Sequence, residues 1–329
     1  LWSMLYTMVN IPYASMTAQL SDDPRERTAI TSVRMICMLV AVIVVSVATE
    51  PITAAFADKA TGFLVVALAY GGLAFVLFGV CLQGTRRIAL VQATTSTDYR
   101  IRVLGRNKPA LLVAATFFLG SSAEYIRQSS VVYYVTYNMG DASLVPVFLG
   151  IVVLAMVAGN LVIPWCTDRF DKKGTYILGV SIACAASLVF QFIPFDQTAL
   201  ILVVAGISSL GFSVVSTMGW AMLPDTVEFG ELQSGVRSEG IIYAFFSFSQ
   251  KLATAVGGGV VALVLAFSGY AAQSPVQSPQ ALQGILSTLG YLPLAFLLLS
   301  VAVVVFYRLD RASFAAVKDG LNKAGQKAE

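Results

Sequence analysis

The chain has 329 residues, of which 57% are hydrophobic and only 12% are charged, and its formal net charge is +3. A soluble domain carries about a quarter charged residues, so this composition excludes an ordinary soluble protein and predicts a polytopic membrane protein. The sequence contains no histidine, which excludes imidazole proton relays and histidine metal sites. The four cysteines lie in or beside apolar runs without metal-ligand spacing, so neither a disulfide nor a metal site is predicted.

Nine apolar runs are long enough to span a bilayer. They cover about 1–20, 35–56, 61–84, 110–136, 142–165, 175–194, 198–223, 239–268 and 283–307. The chain opens inside the first run without a positively charged leader or a small-residue cleavage site, so a signal peptide is not predicted.

The basic residues predict an orientation. If all nine runs cross the membrane, every Lys and Arg lies on one side, except Lys59 on the other side and Arg127 and Lys251 within the membrane. The positive-inside rule makes the common side the cytoplasm, which predicts a cytoplasmic C-terminal tail. The longest basic segment, 85–109, separates three runs from six, so we expect three further helices ahead of Leu1.

This layout predicts an all-α polytopic membrane protein with nine of the twelve helices of a major-facilitator fold. The first expected region is the last three helices of an N-terminal half, at 1–84, followed by a central cytoplasmic loop at 85–109. A complete six-helix C-terminal half, at 110–307, and a cytoplasmic tail, at 308–329, complete the chain.

The sequence at 164–178 supports the same layout, because it has the D-R-x-x-K-K character of a short cytoplasmic loop of that superfamily. Asp168 and Arg169 can form charge contacts in one conformation and break them in another, which assigns both residues to cytoplasmic gating. For the two lysines that follow, ordinary positive-inside anchoring is an equal explanation.

The stretch 225–251 carries the most informative polar residues. It joins an acid-rich loop to a long apolar helix in which Lys251 lies about 17 Å from the start. A charge at that depth costs roughly 2.5–3.5 kcal/mol and is normally turned toward protein or a water-filled cavity. We therefore interpret Lys251 as facing a ligand.

Glu124 and Arg127 are three residues apart on the fourth run and share a helix face. One interpretation is a structural ion pair within the membrane. The other is that they and Tyr134 line a cavity or gate, since opposed charges and hydroxyls rarely face lipid.

Two motifs carry a family resemblance. The first is NIPYASMTAQLSDDPRERTAITSVR at 10–34, and the second is PDTVEFGELQSGVRSEGIIYAFFSFSQK at 224–251. They resemble, respectively, the fourth-span region and the cytoplasmic loop with the eleventh span of the glycoside-pentoside-hexuronide:cation symporters. This melibiose-permease-like family belongs to the major facilitator superfamily, and the resemblance implies a transporter. No Walker loop, dinucleotide fingerprint, zinc-protease motif or serine-hydrolase motif occurs, so an enzyme is not predicted.

The resemblance implies roles for single positions. Lys251 matches a lysine that couples the sugar and cation sites, and Arg34 matches an arginine associated with sugar binding. Thr7 matches a hydroxyl residue of the cation site, one helical turn before Asn10, which is expected to contribute to both sites.

Other positions depart from the family pattern. Asn10 replaces an aspartate that grips sugar hydroxyls, and Ala14 replaces a stacking tryptophan. Ser216 takes the place of a second tryptophan, although Trp220 lies one turn further along the same helix as an alternative platform. These departures weigh against a galactoside as the substrate, and less against sugars in general.

The acids near Asp225 form either a solvated turn or a cytoplasmic lock that pairs with basic residues of the other half. The residues assigned to the lock are Asp225, Glu228, Arg237 and Glu239, with Arg25, Arg27 or Arg34 as partners.

The expected function is cation-coupled uptake of a sugar or glycoside by alternating access, with H⁺ or Na⁺ as the coupling cation and no cofactor or other metal. With Asn10 neutral and Arg34 and Lys251 positive, the pocket suits an anionic sugar such as a hexuronide or glucuronide. The expected partners are the sugar, the cation and the lipid bilayer, without nucleic acid, and a monomer in the plasma (inner) membrane is expected. The alternatives are a symporter for a lipid-like or other amphiphilic solute, a non-transporting sugar sensor, and a membrane enzyme with an unrecognised site.

Overall fold

The computed structural model describes residues 2–21, 23–56, 58–85, 97–272, 274 and 276–326. Regular secondary structure in these ranges is entirely helical. This is expected of membrane segments, because their backbone N–H and C=O groups have no water to bond with and must hydrogen-bond to one another. The helices are α1 Trp2–Ser15, α2 Thr17–Leu20, α3 Pro24–Ala54, α4 Lys59–Thr85, α5 Thr97–Arg106, α6 Lys108–Tyr133, α7 Val145–Phe190, α8 Thr198–Ser234, α9 Glu239–Phe267, α10 Pro279–Leu289, α11 Tyr291–Val304 and α12 Arg311–Gln326. A π-helical turn, Tyr134–Asn138, and a 3₁₀ turn, Ala142–Leu144, connect α6 to α7.

Seven helical segments among the described residues are long and apolar enough to cross a membrane. They are Pro24–Ala54, Lys59–Thr85, Lys108–Asn138, Ala142–Phe190, Thr198–Ser234, Glu239–Phe267 and Pro279–Val304. The first predicted run is divided between the short helices α1 and α2, and the runs 142–165 and 175–194 fall within one continuous segment.

That continuous segment is interrupted at Asp171. A straight 46-residue helix would be about 69 Å long, roughly twice the hydrocarbon core of a bilayer. Asp171 has φ 60° and ψ −177°, a conformation that residues with a side chain rarely adopt. Its carboxylate accepts a hydrogen bond from the Gly174 amide at 2.8 Å, and its carbonyl accepts one from the Thr175 hydroxyl at 2.6 Å. These bonds hold an elbow that separates α7 into two arms.

The larger of two compact units comprises Leu1–Val33 and Thr95–Glu329. Its helices pack closely through glycines, as is common between membrane helices. A Cβ at Gly211 of α8 would lie 2.7 Å from the Gly179 carbonyl oxygen of α7, and one at Gly257 of α9 would lie 2.5 Å from the Tyr125 Cβ of α6. No side chain larger than that of glycine therefore fits at these two positions without a shift of α7 or α6.

The smaller unit comprises Arg34–Thr94, of which 86–96 lie outside the described residues. Within it, α4 meets the second half of α3: a Cβ at Gly62 would lie 2.7 Å from the Thr53 carbonyl oxygen, and the Thr49 and Tyr70 hydroxyls are 3.1 Å apart. Most apolar side chains of α4 are exposed in this unit, as expected for a lipid-facing or helix-facing surface.

Two of the predicted loops contain helix. α8 continues through Asp225, Glu228 and Glu231 to Ser234, so the prediction of an acid-rich loop there is wrong. Gly235, with φ 69°, supplies the left-handed residue that ends the helix. The expected central loop, 85–109, contains α5, and its residues 86–96 lie outside the described part of the chain. The tail forms α12, with 327–329 outside the described residues.

Candidate functional site

Lys251 lies near the middle of α9 and faces α1. The side chain is exposed within this chain, and its Nζ lies 5.7 Å from the centroid of the Tyr6 ring. An ammonium at that distance over an aromatic face is attracted by the ring quadrupole. The structure therefore directs this charge of α9 toward another helix of the same unit.

The same helix α1 carries Thr7 and Asn10. Both are half-buried, and they are three residues apart, so they share one face of the helix. Asn10 is also one turn beyond Tyr6, which places it on the side of α1 that meets Lys251. Ala14 is buried, with 1% of its surface exposed. The structure thus brings Lys251 to the helix that carries the two predicted cation-site residues.

Trp220 has little open surface for a sugar. It is 6% exposed, and its ring makes edge-to-face contacts with Phe117 of α6 at 6.0 Å and Phe246 of α9 at 4.7 Å between centroids. The indole consequently packs α8 against both neighbours, and its predicted role as a platform requires movement of these rings. Ser216, one turn earlier, is half-buried.

Arg127 and Tyr134 are buried inside the C-terminal bundle rather than lining a cavity. The Arg127 guanidinium donates to the Ser209 hydroxyl at 2.8 Å and lies 4.9 Å over the Phe212 ring of α8. Tyr134 is fully buried, with its ring 5.3 Å from that of Phe190. The prediction of a cavity wall formed by these two side chains is therefore wrong, because both are used in helix packing.

Glu124 does not form a contact ion pair with Arg127. Within the ranges that the structure describes, its half-buried carboxylate has neither a hydrogen bond nor a contact ion pair. The arginine is thus directed at α8, and the half-buried acid interacts with it electrostatically without a direct contact.

A second group of charges lies at the end of the bundle that carries the start of α3. Arg27 is fully buried, and it donates to Glu228 and to the Ser21 carbonyl at 2.5 Å. Its Nη1 lies 4.0 Å from an oxygen of Asp225. A buried cation is tolerated only with partners of this kind, so Arg27 ties the start of α3 to the end of α8.

Asp225 is shared with the α7 elbow. Lys172 Nζ donates to both Asp225 oxygens, at 2.8 and 2.7 Å, and to the Ala221 carbonyl at 2.8 Å. Tyr307, just beyond α11, is fully buried in the same region. Burial raises the pKa of its hydroxyl well above the ordinary value, and the charges of Asp225 and Asp171 raise it further. The phenol is therefore neutral beside these acids.

Exposed contacts surround this buried centre. Arg25 Nε lies 3.0 Å from Asp168 Oδ1, and both side chains are more than half exposed. Arg311 of α12 donates to the carbonyls of Thr167 and Asp168 at 3.0 and 3.1 Å. Arg169 is exposed and forms no ion pair with a described residue.

A third contact involves the loop before α9. Arg237 binds both Glu239 and, at 2.9 Å, Glu231, and Gln19 of α2 donates to Glu239 at 2.6 Å. We refer to the contacts of Arg25, Arg27, Lys172 and Arg237 with their acids as the ionic network. A cavity of about 240 Å³ lies beside it. Its wall includes Arg25, Lys172, Asp225, Arg311, Phe314 and Lys318.

Sequence reasoning missed several of these contacts. The Gln19 amide and the backbone bonds of Arg311 carry no recognisable motif, because they depend on how α2 and α12 fold back onto the bundle.

Arg34 is the first residue of the smaller unit and lies on α3, where it is half-buried.

The fold and these sites define a multi-pass helical membrane protein. Its basic side chains within the predicted spans, Arg127 and Lys251, are directed at neighbouring helices, and ion pairs join its helix ends. The family model described as MFS/sugar transport protein matches residues 1–311, and the chain belongs to that family. This membership confirms the predicted family resemblance, the all-helical major-facilitator class and the prediction of a transporter rather than an enzyme.

The chain is also similar to individual transporters of this kind. The chain is 29% identical over 317 residues to a glucuronide carrier protein homolog of Escherichia coli strain K12, covering 94% of this chain and 69% of that protein. It is 32% identical over 319 residues to an isoprimeverose transporter of Lactiplantibacillus pentosus, covering 94% and 66%. It is 27% identical over 327 residues to a putative glycoside/cation symporter of E. coli K12, covering 98% and 71%. The chain therefore spans about two thirds of the length of the curated relatives it matches.

Proposed function

We propose that this chain forms nine of the twelve helices of a secondary transporter that couples uptake of a sugar or glycoside to H⁺ or Na⁺. The observation that carries the proposal is the position of Lys251: an ammonium in the middle of a membrane helix lies over Tyr6 of α1, the helix that also presents Thr7 and Asn10. A charge at this depth is normally retained for a ligand or an ion pathway.

The kink in α7 supports this helix count. Seven segments are long enough to span, the two arms on either side of Asp171 count as two crossings, and α1 with α2 supplies a shorter one. With nine crossings, the C-terminal tail shares a side with the basic residues, and the positive-inside rule supports a cytoplasmic tail. On this account three helices precede the chain, and the protein is a monomer of the plasma (inner) membrane.

The ionic network is the cytoplasmic lock of this mechanism. Arg27 and Arg25 belong to the N-terminal half of the proposed transporter, and their acids Glu228, Asp225 and Asp168 belong to the C-terminal half. With these pairs formed, the cytoplasmic side is closed; breaking them opens it, and the loaded site favours that exchange.

The proposed substrate is an anionic glycoside. Lys251 offers a positive charge, while Asn10 offers an amide that donates and accepts hydrogen bonds without a charge of its own. A uronide presents both a carboxylate and hydroxyl groups to such a surface. The match to a glucuronide carrier protein homolog is in line with this choice.

Uptake by the full-length protein in proteoliposomes tests the proposal. A labelled uronide and the neutral glycoside of the same sugar are compared under an imposed Na⁺ or H⁺ gradient, with counterflow as a check that transport occurs. We expect gradient-driven uptake with preference for the uronide and no competition by excess lipid. Preference for the neutral sugar would contradict the proposal of an anionic substrate. Absence of counterflow with both sugars would contradict sugar transport itself.

A further inference from the structure

Glu124 lies on α6, the seventeenth residue of a helix that spans the membrane. An acid at this level is expensive unless it is paired or turned toward water. Its helix neighbour Arg127 acts on it only through space, since the guanidinium is held by Ser209 and Phe212 of α8. Because no described residue hydrogen-bonds to the half-buried Glu124 carboxylate, its hydrogen-bonding capacity is available to a ligand.

The surface around Glu124 connects it to Lys251. The next residue, Tyr125, is pressed against Gly257 of α9, and its side chain contacts Gln250 and Thr254 of that helix. These two positions flank Lys251 in the sequence. Tyr6 of α1 lies near Tyr125 as well as over the Lys251 ammonium. The contacts of Tyr125 therefore join the three helices that carry a carboxylate, Glu124, an ammonium, Lys251, and two phenol rings.

This combination fits a sugar. A carboxylate accepts hydrogen bonds from two hydroxyl groups, an ammonium donates to ring and hydroxyl oxygens or pairs with an acid group, and aromatic rings pack on the apolar face of a pyranose. Asn10, on the side of α1 that meets Lys251, carries an amide without a charge. Glu124 can provide a charged acceptor from α6.

We propose that Glu124 is a substrate-binding residue that accepts hydrogen bonds from sugar hydroxyls, opposite Lys251, which binds the acid group of a uronide. This assignment rests on the proposed function of sugar transport. It makes the site bipolar, so that the substrate is oriented with its carboxylate toward α9 and its hydroxyls toward α6.

The test measures equilibrium binding and counterflow by the full-length protein for a uronide and its single deoxy analogues. Glu124→Gln should weaken binding of the intact uronide by about 10- to 100-fold, the range for hydrogen bonds to a charged group. The variant should bind the uronide and the analogue that lacks the Glu124-bound hydroxyl with the same affinity. Wild type should bind that analogue more weakly than the uronide. Adding Asn10→Asp to Glu124→Gln should restore part of the affinity. Glu50→Gln, at an exposed acid of α3, is the matched control and should bind like wild type.

The outcomes separate the two proposals. Wild-type affinity and an unchanged analogue profile in Glu124→Gln, in a protein that transports sugar, would overturn the role of Glu124 and leave the proposed function intact. Failure of wild type to exchange any sugar would overturn both. If Glu124→Gln does not insert, Glu124→Asp keeps the charge on a shorter side chain. That variant should bind with intermediate affinity and an altered analogue profile, and an unaltered profile would count against the assignment.

Discussion

The ionic network and the surface between Glu124 and Lys251 contain the same kinds of side chain in opposite arrangements. In the network, the fully buried Arg27 and the nearly buried Asp225 and Glu228 are in direct contact, and Lys172 completes the group. On the other surface, the Glu124 carboxylate has no hydrogen-bond partner among the described residues, and the Lys251 ammonium lies over an aromatic ring. The paired charges can hold one conformation, whereas in the second set the Glu124 carboxylate has hydrogen-bonding capacity that the proposed substrate would use.

The difference also follows from position in the chain. The network joins helix ends, where three separate turns each contribute a cation next to a partner acid. The second surface lies at mid-helix on α6 and α9, where each charge carries an insertion cost. Substitutions in the network should therefore alter the rate of conformational exchange, and substitutions on the other surface should alter affinity.

The largest effect in the network is expected for Asp225→Asn. The carboxylate contacts both Lys172 and Arg27, and removing one partner of a buried ion pair typically costs about 3–5 kcal/mol. The closed cytoplasmic state should lose stability, so counterflow should slow by about 10- to 100-fold while equilibrium sugar binding changes little. Asp310→Asn, at an exposed acid beside the same cavity, is the control. Unchanged counterflow in Asp225→Asn would contradict the lock.

A smaller effect is expected at the exposed pair Arg25–Asp168. Both side chains are more than half in solvent, and exposed ion pairs contribute about 0–1 kcal/mol. A double-mutant cycle of Arg25→Ala and Asp168→Ala should therefore give a coupling in the counterflow rate below about fivefold, and raising the salt concentration should reduce it further. A coupling as large as that of Asp225 with Lys172 would show that this pair is desolvated in the closed state.

The sequence predicted the membrane class and most helix positions because hydropathy acts locally. It failed at α8, where Pro224 and three acids suggest a loop. The helix persists because Arg27 and Lys172 neutralise Asp225 and Glu228 across the bundle, a tertiary contact that no local pattern reveals. Gly235, in the left-handed conformation, was the local sign of where α8 ends. The burial of Arg127 and Tyr134 likewise depends on how α7 and α8 pack against α6.

The smallest effect is expected for Tyr307→Phe. The buried hydroxyl has no hydrogen-bond partner among the described residues, so its removal should change the free energy of unfolding by less than about 1 kcal/mol. Because its pKa is raised in the folded protein, the group titrates first in the unfolded chain, and its contribution to stability should be lost only above about pH 10. The variant should lack the part of the alkaline loss that Tyr307 contributes. A large loss of thermal stability at neutral pH would show that the hydroxyl has a partner.

The most direct measurement is the accessibility of the Lys251 amine to water and to sugar. The full-length protein in proteoliposomes is acylated with a water-soluble amine reagent, with and without saturating uronide, and modification of Lys251 is quantified by mass spectrometry. The exposed Lys59 is the internal reference. If Lys251 faces the substrate pathway, the aqueous reagent modifies it and the uronide strongly slows that reaction without affecting Lys59. Modification of Lys251 by a lipid-soluble reagent alone, at a rate independent of uronide, would contradict the account.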